Sequence, residues 1–299
     1  MSLDQLQPYF GFRRLPFRAD LAPSALYRSR SHEEARARIA FLVSHAALGL
    51  LTGEVGSGKT SAVRAAAQAL ERSRHTVIYL SNPAVGARGI YQHIVASLGG
   101  TPRFHKAALI PQAQELLARE RGERKKQVVL ILDEAHLLTG EQLEELRLLT
   151  NAEMDSQAPF AGILLGQPAL RRRLRLGSFA ALDQRIALRY QLPGMEAPES
   201  ADYLAHHVKL AGREDRLFSD DALALLHERS RGIPRALNNL ATQALVAAYA
   251  EQKSIVDESS AHAALAEVLG PDPVLWTGAV YAASGGWSAS PSVSVCLCS

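Results

Sequence analysis

"GEVGSGKT", Gly53 to Thr60, decides how this chain is read. Its spacing satisfies G-x-x-x-x-G-K-[ST], and it sits between the apolar run "LGLLTG" (Leu48 to Gly53) and a helical pattern, as a phosphate-binding loop requires. Glycines let the backbone curl until several N–H groups face one phosphate, and the helix that follows adds the partial positive charge of its N-terminus. Lys59 is then expected to reach the β/γ oxygens and the Thr60 hydroxyl to ligate Mg²⁺. The residues expected to contact ATP are Gly53, Glu54, Val55, Gly56, Ser57, Gly58, Lys59 and Thr60, with Ser61 behind them. An ordinary glycine turn with a surface lysine would not need strand, motif and helix in this order.

"VVLILDEAH" supplies the second half of such a site. Its apolar strand residues end in Asp133 and Glu134, which puts carboxylates at the C-terminal edge of a parallel sheet, where ligands of open sheets bind. Asp133 is expected in the Mg²⁺ shell, and Glu134 is expected to orient or deprotonate an attacking water. Together the two motifs predict ATP hydrolysis, with ATP and Mg²⁺ as cofactors.

Working outward, short β-like runs alternate with longer amphipathic ones, the pattern of an α/β fold with a five-stranded parallel sheet. The other strand candidates are "TVIYL" (Thr76 to Leu80), "AGILLG" (Ala161 to Gly166) and "ALRYQL" (Ala187 to Leu192). Ser31 followed by Glu34 predicts a capping box at the start of a helix before the first strand. From about Pro198 strands stop and three or four helical segments follow, a smaller all-helical domain. The expected organisation is residues 1–47 as an N-terminal segment and capping helix packed on the ATPase core, 48–195 as the core and 196–270 as a helical lid. Residues 271–299, rich in Ser, Gly, Ala and Pro, are expected to form a loosely ordered tail.

Composition bounds the function classes. With 299 residues, 47% of them hydrophobic, and a net charge of only +3, the chain can bury two packed units, and its bulk charge points to no nucleic acid or membrane. No stretch of about 18 apolar residues occurs, and the N-terminus lacks a signal-peptide pattern, so a cytoplasmic protein without a membrane partner is expected. Cys296 and Cys298 are too close for an easy unstrained bridge and lack the further ligands of a zinc site.

"GEVGSGKT", "LILDEAH", "LLGQP", "LDQRIALRY" and "GIPRALNNL", in that order over roughly Tyr9 to Leu269, resemble AAA+ ATPases of the ExeA/TniB/TnsC type, as does the opening "YFGFRRLPF". The resemblance implies a helical lid closing over the nucleotide, and it implies further roles. Gln167 falls at the sensor-1 position, where Asn or Thr is more usual, and Arg235 in "GIPR" matches sensor 2. Asn82 is placed where such proteins often restrain the catalytic Glu. Arg185 in "LDQRIALRY" matches an arginine finger offered to the neighbouring subunit of a homo-oligomer, ring or filament, with Arg189 as its competitor.

ExeA-type proteins continue into a membrane segment and a cell-wall-binding region that this sequence does not display. The resemblance therefore points to transposition regulators that assemble on double-stranded DNA with little sequence preference and recruit a transposase or adaptor. Arg103 and Lys106 are the first candidates for DNA-phosphate contact, ahead of "RRRLR" (Arg171 to Arg175), which could equally serve a subunit interface. A secretion-type or other protein-remodelling ATPase that does not bind DNA is the alternative.

Overall fold

The computed structural model describes residues 5–18, 25–83, 85–150 and 158–269. Five strands, β1 (Leu48–Gly53), β2 (His75–Leu80), β3 (Gln127–Leu132), β4 (Phe160–Gly166) and β5 (Ile186–Leu192), pair in parallel in the order β2-β3-β4-β1-β5. Each lies within one residue of its sequence-based limits. The three central strands are apolar along nearly their whole length because both their faces are covered, whereas β2 and β5 alternate between buried and open positions, as edge strands do.

In chain order the helices are α1 (Leu6–Phe10), α2 (Arg30–Ser44), α3 (Lys59–Gln68), α4 (Gly86–Ser97), α5 (Lys106–Gly122) and α6 (Gly140–Leu149). Then come α7 (Pro168–Leu174), α8 (Ala180–Asp183), α9 (Ala197–Leu210), α10 (Asp220–Ser230), α11 (Pro234–Ala250) and α12 (Glu258–Leu269). Because side chains alternate along a strand, neighbours on β3 feed different cores. Leu130 and Leu132 join Ile90, Leu109, Leu143 and Leu170 on one face, while Val129 and Ile131 join Ile39 and Val43 of α2 and Val63 of α3 on the other.

Helices α9 to α12 build a separate apolar core around Leu204, Leu226, Leu237 and Leu245. Here the structure departs from expectation. Only α2 of the N-terminal segment packs on the sheet; Leu6, Phe10, Phe12 and Phe17 insert into the helical core instead. Main-chain carbonyls fix the arrangement, with Arg14 Nε donating to Leu210 O at 2.9 Å and Arg213 Nη1 to Phe10 O at 3.2 Å. Four closely spaced apolar side chains on a short segment need a deep groove, and the four-helix layer offers it.

A second correction concerns α2. Its N-cap is Ser29, whose Oγ accepts from His32 N at 3.4 Å, and not Ser31. Ser31 lies buried in the first turn, and Glu34 turns outward to pair with Arg38 and to accept from Tyr190 Oη at 3.2 Å. The tail at 271–299, with both cysteines, lies outside the described residues. Among the described residues no helix is long and apolar enough to cross a membrane.

Candidate nucleotide site

The carboxyl ends of β1, β3 and β4 stand side by side, so the loops leaving them meet at one edge of the sheet. Out of β1 comes the glycine loop. Gly56 (φ +82°) and Gly58 (φ +88°) occupy the left-handed region, and neither has room for a side chain. A Cβ on Gly56 would fall 2.5 Å from Arg235 Cβ, and one on Gly58 would collide with the His32 imidazole. The loop is thus clasped by α11 from the helical domain and by α2 from the N-terminal segment. Arg235 N–H also donates to Gly56 O at 3.3 Å.

Inside the loop, Lys59 is only 8% exposed and its Nζ donates to the carbonyls of Gly53 at 2.9 Å and Glu54 at 2.8 Å. Burial pushes its pKa down, while Glu134, Asp133 and Glu54 pull it back up, so the cation is held where an anionic ligand would satisfy it. The Ser57 hydroxyl is buried and has no hydrogen-bond partner. A buried polar atom left unpaired in the glycine loop fits a phosphate oxygen as its partner.

Asp133, at the end of β3, is 4% exposed and fully engaged. Its Oδ2 accepts from Thr60 Oγ1 and from Tyr79 Oη, each at 2.7 Å, and its Oδ1 accepts from Glu134 N at 2.8 Å. Tyr79 was not singled out by sequence reasoning; a tyrosine three residues before "NP" at a strand end carries no motif. Burial and the Asp133 carboxylate together raise its phenol pKa, which keeps it a hydrogen-bond donor. Thr60 and Asp133 present a hydroxyl and a carboxylate at one point, a hard oxygen donor pair that fits Mg²⁺.

Glu134 takes φ +50°, a left-handed conformation uncommon for a residue with a Cβ. Its side chain, 47% exposed, faces a cavity of ≈ 790 Å³ whose wall also carries Lys59, Thr60, Gln167 and Arg235. Val55, Gly56, Gly58 and Ser61 complete the loop side of that wall. Gln167 caps α7 from the end of β4, and its Nε2 lies 3.0 Å from His136 Nε2.

Arg185, Arg103 and Lys106 lie outside this cavity. Arg185 is exposed between α8 and β5, where Nη1 donates to Thr150 O at 3.3 Å. Arg189 is drawn back by Asp183, 3.1 Å away, and by Ile186 O at 3.0 Å. Lys106 is engaged by Glu141 at 3.1 Å and by the largely buried Glu145, whereas Arg103 is exposed. Part of "RRRLR" serves the fold: Arg173 donates to Leu138 O and lies over the Phe179 ring.

Residues 42–174 match the family model described as AAA domain. Over those residues the chain is similar to AAA domains. Its fold is that of AAA+ P-loop ATPases, and solved structures match most of its length. The Aeropyrum pernix ORC2 protein in ADPNP and ADP complexes aligns at TM-score 0.60 and 20% identity, over 88% of this chain and 74% of that one. Cdc6p of Pyrobaculum aerophilum aligns at TM-score 0.64 and 17% identity, over 88% and 73%. In sequence, General secretion pathway protein A of Aeromonas hydrophila is 33% identical over 292 residues, 93% of this chain. The chain spans about half, 53%, of that relative's length.

On the helical side of the cavity, the ring of His207, 4% exposed, lies 5.6 Å from Phe17 and 4.4 Å from Tyr203. Burial, with smaller contributions from His206 and Arg14, pushes its pKa down from 6.5 to about 4. The unfolded chain therefore takes up a proton below pH 6.5 that the folded chain refuses until about pH 4. Stability is expected to be intact above the first value and to fall, by up to about 3 kcal/mol, across that window. Urea titrations at pH 7 and pH 4.5 check it: His207→Phe, which keeps a ring in place, should show a shallower decline than wild type.

Proposed function

We propose that this protein binds ATP with Mg²⁺ and hydrolyses it to ADP and phosphate, in homo-oligomers whose neighbouring subunits complete each site. The observation that carries the reading is the convergence on one cavity wall of Lys59, Thr60 hydrogen-bonded to Asp133, and Glu134. Thr60 and Asp133 would hold Mg²⁺, which when bound supplies positive charge against the phosphate oxygens. Lys59 neutralises charge within the loop, the loop amides orient the phosphates, and Arg235 reaches them from the helical domain. Gln167 contributes a polar contact from the β4 side. Glu134 takes the proton of the attacking water or orients it. Because Arg235 belongs to α11, nucleotide contact would tie the helical domain to the core and convert hydrolysis into domain movement.

Lys59→Ala is the direct test of binding. The ammonium is the cation buried in the loop, so calorimetry should show ATP affinity lowered by at least about 100-fold, the worth of a charge-assisted contact in a desolvated cradle. Affinity equal to wild type would remove the loop from the reading.

For the target, the relationship to General secretion pathway protein A favours ATP-driven remodelling of a protein assembly in secretion. The second reading, a regulator of transposition that assembles on duplex DNA and recruits a transposase, draws on the segment between α4 and α5. There Arg103 is exposed beside Phe104, 75% exposed, over whose ring the Arg88 guanidinium sits at 4.8 Å. Engagement of Lys106 by two carboxylates weakens this reading. Anisotropy titrations of duplex DNA with ATP analogue, ADP or no nucleotide, at two salt concentrations, separate the two. Retention only with the analogue, falling steeply with salt and lost in Arg103→Ala with Lys106→Ala, supports the DNA reading. No binding in any state supports protein remodelling.

A further inference from the structure

Three side chains of the site form a chain that the assignments above leave unused. Gln167 Nε2 is an amide nitrogen and can only donate, so the His136 Nε2 that faces it at 3.0 Å must be the acceptor. A neutral imidazole that accepts at Nε2 carries its proton on Nδ1. That nitrogen is buried, makes no hydrogen bond, and lies 3.4 Å from Glu134 Oε2. The His136 side chain is 15% exposed, whereas that of Glu134, at 47%, is the more exposed member of the pair. A small rotation of Glu134 brings its carboxylate within reach of the Nδ1–H.

The geometry points to His136 as a positioning residue that links Gln167 to Glu134. The inference rests on the ATPase reading above. Gln167 lines the cavity on one side and touches His136 on the other. A primary amide has two N–H donors; with one on His136, the second is left for an acceptor in the cavity. An acceptor there orients the amide, the amide holds the His136 tautomer, and the Nδ1–H in turn orients the carboxylate of Glu134. A Gln at this position serves better than a shorter side chain, because it must span from the cavity to a ring on the neighbouring loop. The 3₁₀ turn Ala135–Leu137, entered through the left-handed Glu134, is what folds His136 back toward both partners.

The test is a double-mutant cycle on the full chain, with ATP affinity by calorimetry, melting temperature, and kcat measured for each variant. His136→Ala is expected to lower kcat about tenfold or more while ATP affinity stays within about twofold. His136→Asn, whose amide can donate from near the Nδ1 position, should recover part of that loss. Because Gln167 acts partly through His136, adding His136→Ala to Gln167→Ala should cost less than the product of the two single effects. Unchanged kcat in His136→Ala, no advantage of His136→Asn at matched melting temperature, or fully multiplicative effects would each overturn the inference. The ATPase reading fails differently, by absence of turnover in wild type or by full turnover in Glu134→Gln.

Discussion

Glu134→Gln should bind ATP about as well as wild type and turn it over ~10²–10⁴-fold more slowly, the span of a positioned general base. The replacement keeps the shape and the backbone. Glu134 N would still donate to Asp133 Oδ1, now 2.8 Å away, so the Asp133 and Thr60 pair should stay intact. What disappears is the negative charge that can take a proton. The residue's left-handed backbone, φ +50°, supports the assignment independently. A conformation that costs on the order of 1 kcal/mol or more persists where surrounding structure enforces it, and sites are where such strain collects. Calorimetry for binding and phosphate release for turnover check both halves. Assemblies that need bound ATP should accumulate in this variant. Undiminished phosphate release would strip Glu134 of its role whatever happened to affinity.

The sheet was legible because its strands report burial directly. "VVLIL" and "GILL" are apolar without interruption, and only a strand covered on both faces tolerates that. The glycine loop was equally legible, since Gly56 and Gly58 answer to backbone angles that few other residues adopt. What the sequence did not disclose depends on partners distant along the chain. The four apolar side chains from Leu6 to Phe17 look the same whether they cover a sheet or fill a helical groove, and the decision lies with Leu210 and Arg213, about 200 positions away. The cap of α2 was misread for a local reason: Ser29 and Ser31 both precede apolar helical positions, and the side chain that selects between them is His32, whose Nδ1 sits 2.6 Å from Ser29 Oγ.

The candidate site divides along the same line. Lys59, Thr60, Asp133 and Glu134 belong to contiguous motifs and could be proposed from spacing alone. Tyr79 and His32 could not, because each reaches the site through a hydrogen bond or a close approach that only the folded chain creates, and His136, although it closes the "LILDEAH" run, meets Gln167 only in the fold. The basic residues show the converse. Lys106 reads in sequence as a candidate for DNA-phosphate contact, yet Glu141 and Glu145 on α6 face it, and its ammonium pKa is raised by those hydrogen bonds.

Arg185→Ala should abolish turnover, by about 10³-fold or more for a lost arginine finger, while leaving ATP affinity near that of wild type. The expectation follows from position. Arg185 is exposed and lies outside the cavity that holds its own subunit's Lys59 and Glu134, so a phosphate it stabilises would belong to a neighbour. Arg189 would have to leave its ion pair with Asp183 to play this part. Mixing separates a role in trans from a structural one. Arg185→Ala chains keep an intact Glu134, and Glu134→Gln chains keep an intact Arg185, so an assembly of both contains interfaces at which a working carboxylate meets a working arginine. Phosphate release should therefore reappear in the mixture, although each variant alone is inactive, and should peak at intermediate ratios. A melting temperature close to wild type in Arg185→Ala would show that the loss is not one of folding. If no ratio restores release and Arg189→Ala alone reproduces the defect, the finger is Arg189, and its release from Asp183 becomes the step that assembly must drive.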